Sequence, residues 1–165
     1  MKTIDAAKFS WENVGSTLTI GRTPEVPLPT TTEVWGLGRH WKTMKRQTRH
    51  FEMHRPETID WVTWDELASV GCPVYMIDVH PEVPNSVRYP LAHILEEFER
   101  RYFTNSYAYL IALAIYEEFD AIHLERILCK PTHAEYTNQK ACLDYWCGVA
   151  EGRGITVTTS DSSIL

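Results

Sequence analysis

Short β-rich runs alternating with helical patterns constrain this chain most, because that alternation favours a mostly parallel sheet covered by helices. The runs are Thr17-Leu18-Thr19-Ile20, Glu33-Val34-Trp35-Gly36-Leu37, His50-Phe51-Glu52-Met53, Pro73-Val74-Tyr75-Met76-Ile77, Ala121-Ile122-His123-Leu124 and Ile155-Thr156-Val157-Thr158. Between them, Trp41 to Thr48 reads as a short helix. Thr63 reads as the N-cap of a helix from Trp64 to Val70, with Glu66 completing a capping box and Gly71 ending it. Leu91, Ile94, Leu95 and Phe98 make Leu91 to Arg101 an amphipathic helix. Asn105 to Phe119 predicts the most buried helix, and Glu135 to Glu151 a last one closed by Gly152-Arg153-Gly154.

The expected fold is therefore α/β and Rossmann-like, with about six strands in a mostly parallel sheet flanked by helices. The chain has 165 residues, 44% of them hydrophobic, which suits one domain over 1–165 with an extension at 1–14 and a tail at 160–165. A formal charge of −6 argues against a broad nucleic-acid face. One basic stretch departs from it: Arg39, Lys42, Lys45, Arg46, Arg49 and Arg55 are opposed only by Glu52, as a solvated helix face or as an anion-binding rim. No signal peptide or membrane span is read from the sequence. Cys72, Cys129, Cys142 and Cys147 lack metal-site spacing and are expected to be reduced. The expected location is cytoplasmic, with no membrane partner, and a homo-oligomer is compatible with the sequence.

Ligands of open parallel sheets bind beyond the carboxyl ends of the strands. Those positions hold Gly21, Arg22 and Thr23 after the first strand, Gly36, Gly38 and Arg39 at the second, His54 and Arg55 after the third, and Glu125 and Arg126 after the fifth. Thr104, Asn105 and Ser106 open the long helix, suited to capping or to holding a phosphate. The glycines serve either as turns or as ligand contacts. His133, in a loop after the fifth strand, is either a solvated side chain or a general base. There is no GxGxxG, P-loop, HExxH or GxSxG motif. His50 and His54 flank a strand, and no metal site is expected.

The segments Tyr102-Phe103-Thr104-Asn105-Ser106-Tyr107-Ala108-Tyr109-Leu110, Phe51-Glu52-Met53-His54, Pro73-Val74-Tyr75-Met76, Pro84-Asn85-Ser86 and Gly152-Arg153-Gly154-Ile155 resemble a group of small proteins of tailed phages and prophages. More distantly, the second half resembles bacterial sialyltransferases and hydroxymethylpterin pyrophosphokinases, whose modified Rossmann folds bind nucleotides. The resemblance implies that Thr104, Asn105 and Ser106 hold a nucleotide, that His133 is the base near Glu135 and Tyr136, and that Asn85 and Ser86 join the ligand set. Two loops depart from those relatives. Gly21-Arg22-Thr23-Pro24-Glu25 stands where Gly-x-x-Pro-Ser is usual, and Leu124-Glu125-Arg126-Ile127 where Gly-x-Asp is common.

Three functions are thus expected to compete. The first is a nucleotide- or nucleotide-sugar-dependent transferase with His133 as base. The second is a non-catalytic phage accessory protein that sequesters a nucleotide or a host protein, and the third is a structural phage component.

Overall fold

Each of the six runs forms a strand, and the register between them explains what the strands carry. The computed structural model describes residues 2–3, 17–21, 32–55, 58–127 and 134–160. The strands are β1 (Lys2–Thr3), β2 (Thr17–Gly21), β3 (Glu33–Leu37), β4 (Arg49–Glu52), β5 (Val74–Met76), β6 (Ser86–Arg88), β7 (Ala121–Glu125) and β8 (Thr156–Thr159). All pairings are parallel, in the order β1-β8-β7-β2-β3-β4-β5-β6. The expectation of about six strands is corrected to eight, the two additions being the two-residue β1 and the three-residue β6. Strand β6 is hidden in the sequence because Pro84 and Pro90 bracket it and it lies at a sheet edge, where prolines are tolerated.

The helices are α1 (Trp64–Ala68), α2 (Leu91–Phe98), α3 (Ser106–Tyr116) and α4 (Ala134–Gly152). Thr63 and Glu66 form the expected capping box on α1, which ends at Ala68 with Ser69 as its C-cap rather than at Gly71. The helix expected over Trp41 to Thr48 is absent. A 3-10 turn spans Gly38–Lys42, and the chain then returns to the sheet. Thr48 is captured by β3 through its backbone N–H to the Val34 carbonyl (2.8 Å), and its hydroxyl accepts from the Val34 N–H (2.9 Å).

Successive strand residues face opposite sides of the sheet. One side bears Leu18, Ile20, Trp35, Phe51, Ile122, Leu124 and Val157, all in one apolar core with α2, α3 and α4. In α3, Ala108 and every residue from Leu110 to Ile115 are buried, so that helix is apolar nearly all round. The other side is mixed: Val74 and Met76 join Leu67 of α1 in a smaller cluster, while Thr19, His50, Glu52, His123, Glu125 and Thr158 are also buried. Buried parallel strands ordinarily read as near-continuous apolar runs. The polar residues here need a separate reason.

Gly36 lies on this second side for packing. A Cβ built on it would come 2.6 Å from Met44 Sδ and 2.9 Å from the Gln47 side chain. Gly36→Val is expected to displace both and break the Gln47 bond to the Arg49 carbonyl, costing about 1–3 kcal/mol in urea unfolding.

Candidate functional site

Strand β2 lies between β3 and β7. From β2 the chain winds outward through β3, β4, β5 and β6, then returns to β7 on the other flank of β2. This reversal is a topological switch point, where open α/β sheets leave a crevice beyond the carboxyl ends of the strands. In register, Gly21 at the end of β2 faces Glu125 at the end of β7.

Glu125 and His123 are two apart on β7, so both project from the mixed side of the sheet. Both are buried. His123 Nδ1 lies 2.8 Å from Thr158 Oγ1, and Nε2 lies 3.1 Å from Glu125 Oε2. The other Glu125 oxygen is 3.6 Å from Arg126 Nε. Beside His123 in register is Thr19, fully buried, whose Oγ1 makes no hydrogen bond to any described residue. Arg126 adopts φ 53°, and its backbone N–H donates to Ser160 Oγ at 3.0 Å. That left-handed conformation costs a side-chain-bearing residue roughly 1–2 kcal/mol.

A second carboxylate and imidazole lie at the end of β4, three strands from β7 and hence roughly 14 Å away across the sheet. Glu52 is 1% exposed and accepts three hydrogen bonds. They come from His54 Nδ1 (2.6 Å), the His54 backbone N–H (3.2 Å) and Trp61 Nε1 (3.2 Å). The His54 ring packs edge-on to Trp61 at 4.6 Å. Its hydrogen bond to Glu52 raises the His54 pKa above the ordinary 6.5 against the opposing effect of burial. One and two strands further on, at the carboxyl ends of β5 and β6, a cleft of about 580 Å³ opens, lined by Ile77, Asp78, Arg88, Tyr89, Leu91 and His93 among others.

The residues expected from the sequence are distributed unevenly over this edge. Gly21, Arg39, His54, Arg55 and Glu125 lie at it, with Arg39 donating to the Trp61 carbonyl. Thr104, Asn105 and Ser106 open α3 but two of them tie it to α4. Asn105 Oδ1 accepts from the Ala108 N–H at 2.9 Å, its Nδ2 donates to the Gln139 carbonyl at 2.8 Å, and the Thr104 hydroxyl donates to the Asn138 carbonyl at 3.1 Å. Asn85 and Ser86 stand at the opposite, amino edge. Asn85 Nδ2 donates to the carbonyls of Val70 and Cys72, both at 2.7 Å, and the Ser86 hydroxyl bridges the backbone of His80. Gly36 is covered by Met44 and Gln47. Glu135 falls in the first turn of α4. Arg22, Thr23 and His133 lie outside the described residues.

The basic stretch also divides, because β4 runs through it. Arg46 bonds the Thr32 carbonyl and Arg49 pairs with Glu117 at 2.7 Å, both at the amino edge. Arg39, Lys42 and Arg55 lie toward the carboxyl ends, with Lys42 paired to Glu66 of α1. The sequence reading does not include Glu52, Trp61, His123 and Thr158 among the site residues, although His123–Glu125 carries a signal, an acid and a histidine two apart on a strand and so on one face, and Glu52–His54 has the same spacing where β4 ends.

These features define a Rossmann-like α/β protein with an all-parallel sheet. No protein-family model, curated protein or solved structure matches the chain. No helix among the described residues is long and apolar enough to cross a membrane.

Proposed function

We propose that the protein binds a nucleotide, or a nucleotide sugar, across the carboxyl edge at the β2–β7 switch point. The observation that carries this reading is the pairing of Gly21, which has no side chain to obstruct a ligand, with the Glu125 carboxylate held by a buried histidine. A carboxylate so held accepts hydrogen bonds from sugar hydroxyls. Arg126, Arg39 and Arg55 supply positive charge for phosphates. Arg126 supports the reading further, since it occupies a backbone conformation that glycine would adopt without strain.

Isothermal titration with AMP, ATP, UMP and UDP-glucose tests it. Binding by at least one of them is expected, with Arg126→Gly weakening it about tenfold, equivalent to about 1.4 kcal/mol. The same variant should unfold at the same temperature or higher, because the strain is relieved. No heat from any of the four at about 1 mM, the weak end of specific binding, would end the nucleotide reading.

A further inference from the structure

We infer that Glu52 and His54 form a general-base pair in which His54 Nε2 takes the proton from a hydroxyl nucleophile, water or an alcohol, while Glu52 positions the ring. The argument is geometric. Glu52 is closed off from solvent and accepts from three donors, two of them from His54 itself, so the imidazole is pinned at Nδ1 in one tautomer and one orientation. The His54 side chain is nevertheless 47% exposed, and no described residue bonds its Nε2. A buried carboxylate needs donors, and the His54 Nδ1–H, the His54 backbone N–H and Trp61 Nε1 supply them; that structural need makes no use of Nε2. An imidazole held from behind by a carboxylate, with its other nitrogen open, has the arrangement by which histidines act as bases.

The other histidine and glutamate pair provides the contrast. His123 is 1% exposed, and both its nitrogens are engaged, by Thr158 and by Glu125. It has no open nitrogen for a substrate. The two pairs also run in opposite order along their strands. At β7 the glutamate ends the strand and the histidine is interior; at β4 the histidine follows the strand and reaches the edge.

The step balances within the pair and two reactants. The hydroxyl proton passes to Nε2 as its oxygen forms a bond to an electrophilic carbon or phosphorus. The bond to the leaving group then breaks with its electron pair, and the imidazolium returns the proton. Charged groups around the ring are Glu52 beneath it, Arg55 next in the chain, and Arg39, which donates to the carbonyl of the packed Trp61. Asp78 lies two residues beyond Met76, the register partner of Glu52, as His54 lies two beyond Glu52.

p-Nitrophenyl acetate tests the base without any natural ligand, because water attack on its carbonyl releases p-nitrophenolate and acetate. The full chain is expected to hydrolyse it at least tenfold faster than His54→Gln, within the range general-base catalysis provides, and more slowly in D2O. His80→Gln should match the unaltered protein. The rate should rise with pH through the deprotonation of one group whose pKa lies above 6.5. Glu52→Gln should shift that midpoint down, and Glu52→Asp should partly restore it. Equal rates for the unaltered protein and His54→Gln would overturn the inference, as would a rate unchanged in D2O, which marks direct nucleophilic attack. If Glu52→Gln fails to fold, the exposed His54→Gln carries the test alone. The assay needs no nucleotide, so loss of nucleotide binding with intact esterase activity defeats only the previous reading, and the reverse defeats only this one.

Discussion

Trp146→Ala is expected to destabilise the protein by about 3–5 kcal/mol, lowering the thermal midpoint on the order of 10 °C for a chain of this size. Trp146 is fully buried in α4, and its ring joins α4 to α2 and to the segment that leads into α3. Phe98 of α2 meets it edge-on at 5.1 Å, Phe103 ahead of α3 stacks on it at 5.0 Å, and Tyr145 lies 5.5 Å away. Its Nε1 donates to the Tyr102 carbonyl at 2.7 Å, an oxygen that the Cys142 thiol also reaches at 3.2 Å. The carbonyl therefore keeps a partner in the variant, and the loss is chiefly packing. Trp146→Phe separates the two contributions. It keeps an aromatic ring, loses the N–H, and should cost about 1–2 kcal/mol more than a perfect replacement would. Urea denaturation with both variants measures the difference. A cost for Trp146→Ala below that of Trp146→Phe would mean that α4 does not organise the core.

The core is the part of this molecule most legible in the sequence. Strands β2, β3, β4, β5, β7 and β8 announce themselves because apolar residues, many of them β-branched or aromatic, cluster in short runs, several of which glycine or proline bounds. The capping box of Thr63 and Glu66 is legible for a local reason: its hydrogen bonds close within three residues. Strand β6 is not, since a three-residue edge strand between prolines holds its place through β5 rather than through its own composition. The stretch from Trp41 to Thr48 has helical spacing, yet β3 captures Thr48, and tertiary hydrogen bonds override local preference.

The site is less legible because strand direction decides it. Asn85 and Ser86 carry ligand-binding groups but enter β6 at its amino end, so they satisfy loop carbonyls on the far edge. Arg49 likewise begins β4, where its guanidinium lies 4.7 Å from the Trp35 ring centre and pairs with Glu117. Thr104 and Asn105 do reach the carboxyl edge, and there they are spent on α4. Glu52 and His123 are poorly legible as site residues because an acid or histidine inside an apolar run reads as an interruption of a strand. Only the period-2 alternation, with one polar side, shows that each faces its partner.

The buried polar side of β7 carries the second large effect. Glu125→Ala should cost about 3–5 kcal/mol, because it leaves His123 Nε2 buried without its acceptor, and breaking one member of such a pair is far costlier than never having it. A triple variant, His123→Leu with Glu125→Met and Thr158→Val, removes all three polar partners together while holding volume roughly constant. It should lie within about 1 kcal/mol of the unaltered protein, since well-packed apolar replacements of buried polar networks are often neutral or stabilising. Calorimetric unfolding of both variants, beside nucleotide titration of the triple variant, separates two explanations for this polar side. A stable triple variant that no longer binds AMP or ATP means that the network is kept for the ligand against an apolar alternative that would fold as well. A triple variant as unstable as Glu125→Ala means instead that the histidine, glutamate and threonine hold β7 and β8 together. The polar side of the sheet would then be architecture rather than a site.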